Sequence, residues 1–201
     1  MKTILILSGL LLAGCASFHS GFIDFRQASS TPGAIMQDSI YVHASFMDSH
    51  ASSTAFDYNF HQAGIQPLTL SLSNRSSINI EFIPSTISDY LRPWQAYDNA
   101  SFDPTTRLMV WSIPWMINMV ANQPWFYGIA WPIMGLVDFF GASSANREMS
   151  SFIQRVSFKP VKLEPGKDTQ GIIVVTKTFI PIKLYVTKAN GQKITFDLGY
   201  R

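Results

Sequence analysis

The stretch from Leu108 to Phe140 constrains this chain most. It reads LMVWSIPWMINMVANQPWFYGIAWPIMGLVDFF and carries one formal charge, Asp138. It also holds four of the five tryptophans, Trp111, Trp115, Trp125 and Trp131. A spanning helix needs about 20 apolar residues to cross about 30 Å of hydrocarbon. Here Pro114 interrupts the first half, Leu108 to Ala121. Asn118, Asn122, Gln123 and Pro124 break the middle, and Gly128, Pro132 and Gly135 punctuate the second half, Trp125 to Phe140. Proline removes a backbone donor and kinks a helix. Each half therefore makes roughly 20–25 Å of helix at best. The pattern predicts a hairpin of two short apolar helices, not a span. Such a hairpin packs as core, dips into one leaflet or meets a protein partner. Tryptophan favours membrane interfaces and protein hot spots alike, so it does not separate the last two. The reading preferred here is partial core packing with one exposed apolar face. Trp111, Trp115, Trp125 and Trp131 are then the candidate interaction surface.

The N-terminus reads MKTILILSGLLLAG, with Lys2 as a positive n-region and Ile4 to Leu12 as a short apolar h-region. Leu12-Ala13-Gly14-Cys15 follows. In residues and in position this resembles the lipobox of bacterial lipoproteins. The resemblance implies cleavage before Cys15, diacylation of its thiol by palmitate-like chains, and acylation of the new amine. Two or more acyl chains anchor stably, since each buried CH₂ contributes about 0.8 kcal/mol. Ala16, rather than Asp, follows the cysteine. Among such lipoproteins this implies the outer membrane, on its periplasmic face. Residues 1–14 read as signal peptide, 15–37 as a lipidated tether, and 38–201 as a single β-sandwich domain with a helical insert at about 105–156. Cys15 is the sole cysteine. The mature chain thus has no disulfide, no thiolate nucleophile and no cysteine metal site.

Outside the insert the chain is polar and strand-like. Fifteen Lys and Arg face thirteen Asp and Glu with no basic or acidic run, which argues against nucleic acid as a partner. Ser39 to Met47 alternates, with Ile40, Val42, Ala44 and Phe46 on one face and Tyr41 and His43 on the other. Asp48 to Thr54 reads as a polar turn, and Ala55 to Phe60 as a strand with Phe56, Tyr58 and Phe60 aligned. Pro67 to Ser73 and Ile78 to Ile83 alternate in the same way. Ile87 to Leu91 reads as a short helix or loop, and Arg92 to Thr105 as irregular because of Pro93, Asn99 and Pro104. Ser143 to Val156 predicts an amphipathic helix with Ala145, Met149, Phe152, Ile153 and Val156 on its apolar face. Glu164-Pro165-Gly166 is a turn signal before Gly171 to Thr176. Ile182 to Thr187 and Lys193 to Leu198 flank Asn190-Gly191, a strong hairpin signal. About eight strands at this spacing predict a mainly β fold, an Ig-like antiparallel sandwich interrupted by the apolar helical hairpin and one amphipathic helix. No Cys…Trp…Cys core is present, so the likeness to immunoglobulin domains is one of architecture only.

The layout resembles a scattered group of bacterial envelope lipoproteins of no agreed activity. The residues that carry this are the insert, Ala145-Asn146-Arg147-Glu148, Leu163-Glu164-Pro165-Gly166 and Gln170-Gly171-Ile172. The insert departs from them in being rich in Trp, Met and Ile rather than in Gly and Ala. The resemblance implies a β-domain and an envelope location. No catalytic constellation is found. Gly141-Ala142-Ser143-Ser144-Ala145 lacks the second glycine of a nucleophile elbow, and there is no phosphate loop and no HExxH. His43, Asp48, His50, Asp57 and His61 do not form a convincing metal set, because His43 and His61 fall on different strands. Glu81 and Asp197 read as solvent-face residues. Asp138 caps the following helix, pairs with Arg147 or reaches water. The chain is therefore expected to be a non-enzymatic, membrane-anchored periplasmic lipoprotein without cofactor or metal. Its role is structural or interactive, as an accessory subunit of an envelope or secretion complex with an envelope protein partner. The alternative is a lipid or small apolar ligand-binding module with the insert as pocket wall.

Overall fold

A computed structural model of the chain describes residues 17–103, 125–176 and 181–199. Most of the period-two segments form strands. In chain order these are β1 (Ile35–Gln37), β2 (Ile40–Phe46), β3 (Ile65–Asn74), β4 (Ile80–Phe82), β5 (Tyr90–Leu91), β6 (Val161–Leu163), β7 (Asp168–Thr176), β8 (Lys183–Lys188) and β9 (Lys193–Asp197). They build two antiparallel sheets, one ordered β1-β2-β3-β7-β5 and the other β6-β4-β8-β9. Among the described residues the α-helices are α1 (Ser49–Phe56), α2 (Pro93–Ala100) and α3 (Trp125–Val156). The protein is thus mixed α and β, not mainly β, because α3 alone takes 32 residues. Among the described residues, 20–100, 151–176 and 181–199 form one compact unit, while 101–103 and 125–150 belong to another.

The core of the first unit follows from alternation. Register pairs Val42 with Leu72 and Leu68 with Ile173 in the larger sheet, and Leu184 with Phe196 and Val186 with Ile194 in the smaller. These residues join Ile40, Leu70, Ile80, Phe82, Leu163 and Val175 in one buried cluster. Phe82 and Phe158 meet in it edge to face, with ring centroids 5.0 Å apart. Burying each such side chain contributes about 1.5–3 kcal/mol. The outer face of the smaller sheet is polar, with Lys162, Lys183, Lys193, Thr195 and Asp197 exposed. The larger sheet differs. All ten residues of β3 are buried, including Gln66 at its start and, on the side away from the core, Thr69, Ser71 and Ser73. The Gln66 amide donates to the Met47 carbonyl at 2.7 Å, and the Ser29 backbone N–H donates to Ser73 Oγ at 3.2 Å.

Turn chemistry sets the registers. Asp38 and Ser39, both with positive φ, link β1 to β2 in a two-residue hairpin. Asn190 and Gly191 turn β8 into β9 as expected, with the Lys188 N–H donating to the Gln192 carbonyl at 2.8 Å. Pro165-Gly166 turns the chain into β7, and the Gly166 N–H donates to the Asn74 carbonyl at 2.7 Å.

Five expectations are corrected. Asp48 to Thr54 is not a turn, and Ala55 to Phe60 is not a strand. The Asp48 carboxylate accepts from the Ala51 N–H at 2.8 Å and caps α1, which ends at Asp57 in the left-handed region. Phe56, Tyr58 and Phe60 then cluster edge to face, with centroids 5.0 to 5.2 Å apart, instead of lining a strand. Tyr90–Leu91 is strand β5, paired with β7. Arg92 to Thr105 is not irregular throughout: Pro93 opens α2, and Gln95 Oε1 accepts from the Arg92 N–H at 2.9 Å, half of a capping box. Finally, Trp125–Phe140 and Ser143–Val156 are not separate helices. They are the one helix α3, which continues through Gly141, and Ser143 Oγ donates back to the Phe139 carbonyl at 2.9 Å. Asp138 therefore lies within a helix and not at the start of one. The first arm of the expected hairpin, Leu108–Ala121, lies outside the described residues. Among the described residues, no helix is long and apolar enough to cross a membrane.

Candidate functional site

The segment before β1, read from sequence as tether, packs down from Gly21 onward. The Gly21 N–H donates to the Ala55 carbonyl at 3.1 Å, Ile23 and Ala28 are buried, and Ala28–Ser30 forms a 3-10 turn. Only glycine fits at position 21, since a Cβ there would sit 1.9 Å from the Thr54 carbonyl oxygen. The segment is also tied at its end. Gln27 Nε2 donates to Asp168 Oδ2 at 2.6 Å, and Arg75 Nη2 donates to Asp168 at 2.9 and 3.0 Å and to Ser29 Oγ at 3.2 Å.

Between this segment, the outer face of β2 and α1 lies a cavity of about 410 Å³. Phe22, Asp24 and Arg26 form one wall, His43, Ser45 and Thr69 the sheet side, and His50, Ala51 and Thr54 the helix side. Alternation puts His43 and Ser45 on the face of β2 away from the core, and α1 puts His50 and Thr54 one turn apart. Phe46 and Met47 line it where β2 ends. Phe22 stands at its edge, 85% exposed. Arg26 Nε donates to Asp24 Oδ2 at 3.1 Å, an exposed pair. The two terminal nitrogens of Arg26 and the rings of His43 and His50 have no hydrogen-bond partner among the described residues. Burial lowers the His43 pKa from its ordinary value, and the Arg26 charge acts the same way.

The remaining residues singled out from sequence are placed elsewhere. His61 Nε2 lies 2.7 Å from the Met47 carbonyl oxygen, which accepts its N–H. Asp48 is the α1 cap and Asp57 its left-handed end. Among the described residues no group of three His, Cys, Asp or Glu is placed to hold a metal ion. Glu81 is half-exposed on β4, and Asp197 is exposed on β9. Cys15, Trp111 and Trp115 lie outside the described residues. Trp125 opens α3 and Trp131 lies within it. Downstream in α3, Leu136, Val137 and Phe140 are 49%, 45% and 65% exposed. At spacings of three and four they share one side of the helix, while Ala142, Ala145 and Met149 are buried. Among the described residues, none that lines the cavity belongs to Leu108–Phe140.

Sequence reasoning missed Asp24, Arg26 and His50 as a group. The readable signal was Asp48 as a helix cap, which places His50 and Thr54 on one helical face. Comparison of the chain with protein-family models, with curated proteins and with solved structures gives no match.

Proposed function

We propose that this chain is a lipid-anchored envelope protein that works by interaction and not by catalysis. Leu12-Ala13-Gly14-Cys15 supports the anchor, and Ala16 supports the periplasmic face of the outer membrane. The observation that carries the interaction role is the strip of Leu136, Val137 and Phe140, three large apolar side chains exposed on one side of α3. Strips of this kind mark contact with a protein or a membrane. The role that fits is an accessory subunit of an envelope or secretion complex, with the strip and the neighbouring tryptophan-rich sequence as the docking element. The five- and four-stranded sheets around one core support an Ig-like sandwich as the rigid body of that subunit.

Two experiments test the two halves. In cells given labelled palmitate, the wild-type protein takes up label and Cys15→Ser does not; label retained in Cys15→Ser would overturn the anchor. A photo-crosslinking residue at Val137 gives discrete protein adducts that Leu136→Ser/Phe140→Ser abolishes without lowering the melting temperature. Absence of protein adducts in the wild type would overturn the docking role.

A further inference from the structure

We propose that the cavity between the Gly21–Gln27 segment, β2 and α1 is a binding site for a small molecule that joins one anionic group, carboxylate or phosphate, to an apolar body. The proposal does not rest on the lipid anchor or on the α3 strip. Four observations converge on it. The cavity, at about 410 Å³, is of the size that takes a small ligand. Arg26 presents two unpartnered N–H-bearing nitrogens, held in orientation by the Nε bond to Asp24. His43 and His50 enter from the sheet and from the helix without hydrogen-bond partners among the described residues, and Ser45 and Thr54 line the same space. Phe22, Phe46, Met47 and Ala51 supply an apolar half to the same space. A guanidinium fork matches a carboxylate or a phosphate with two parallel bonds, which lysine does not. Phe22, exposed and next in the chain to the pinned Gly21, is placed to cover the apolar body once the anion is held.

The full-length protein is isotope-labelled on histidine and purified in detergent and phosphate-free buffer. It is titrated with benzoate, phenyl phosphate, inorganic phosphate and neutral benzyl alcohol, while the ring signals of His43, His50 and His61 are followed by NMR. Benzoate or phenyl phosphate is expected to move the His43 and His50 signals saturably and leave His61 in place. Arg26→Gln, a change at an exposed side chain, is expected to weaken that binding about tenfold or more at an unchanged melting temperature. Phe22→Ala weakens the aryl anions and leaves inorganic phosphate unaffected. Which of the two aryl anions binds more tightly identifies the group as carboxylate or phosphate. The proposal is overturned if neither aryl anion shifts the two rings, or if Arg26→Gln binds as well as wild type. It is equally overturned if benzyl alcohol matches the anions, or if inorganic phosphate matches phenyl phosphate.

Discussion

Replacing Gly171 with alanine should destabilise this protein far more than one methyl group suggests. Gly171 lies in β7 opposite Leu70, where the chain leaving α3 crosses the strand. An added Cβ would stand 2.7 Å from the Phe158 Cα, 2.8 Å from its N and 2.9 Å from its Cβ. No side-chain rotation relieves this, because the obstacle is backbone. That backbone is itself held: the Phe158 N–H donates to the Ile172 carbonyl at 2.8 Å, and Ser157 bridges Ile172. Overpacking a core costs about 1–3 kcal/mol, and a hydrogen bond lost on relaxation adds about 1 kcal/mol. The expected cost is therefore about 3 kcal/mol, or a fall in melting temperature of roughly 6–12 °C for a chain of this size. The control is Gly166→Ala, with nothing within 4 Å of the new atom and only a φ of +78° to oppose it. That strain costs about 1–2 kcal/mol. Urea and thermal unfolding of both variants, followed by circular dichroism, decide the matter. If Gly171→Ala proves no less stable than Gly166→Ala, the close approach of Phe158 to β7 is refuted.

Two further outcomes are expected. Burial alone would raise the Asp168 pKa, but hydrogen bonds from Ser73, Arg75 and Gln27, with the Arg75 charge, bring it below its ordinary value. A carboxylate depressed in the folded state contributes stability above its unfolded pKa and loses it as pH falls through the folded one. Asp168→Asn should therefore lower the melting temperature near neutral pH and narrow its fall from about pH 7 to about pH 3, and equal acid sensitivity in both proteins would count against the clamp. Asp48→Ala removes the cap on the Ala51 N–H and should cost about 1 kcal/mol. Hydrogen exchange at Ala51 should quicken, while that of β8 and β9 stays as in the wild type.

The strands were legible where alternation met a solvent face or a core face cleanly, as at Leu68, Leu70 and Leu72 or at Leu184 and Val186. The Asn190-Gly191 hairpin and the Pro165-Gly166 turn were legible because a local backbone requirement writes itself in residue type. The helices were harder. Phe56, Tyr58 and Phe60 also keep a period of two, and only the Asp48 side chain decides for helix. Pro93 looks like a breaker in sequence, yet proline suits the first position of a helix as well as it ends one. Gly141 did not separate two helices, because one glycine costs only about 1 kcal/mol in a helix interior. The cavity was the least legible feature. Its walls come from three segments, and two of those carry the composition of a tether and of a turn.

The pairing of β3 with β7 has a consequence for how the chain is made. Partners such as Leu68 and Ile173 lie roughly a hundred residues apart in the chain. A polypeptide that emerges N-terminus first therefore presents β3 long before its neighbour exists, and the whole of Leu108–Phe140 emerges in the interval. In the folded sheet β3 lies between β2 and β7, so without β7 one of its edges has no partner strand. Gln66, Thr69, Ser71 and Ser73, polar side chains on a strand that ends fully buried, keep the waiting segment soluble in a way that an all-apolar central strand would not.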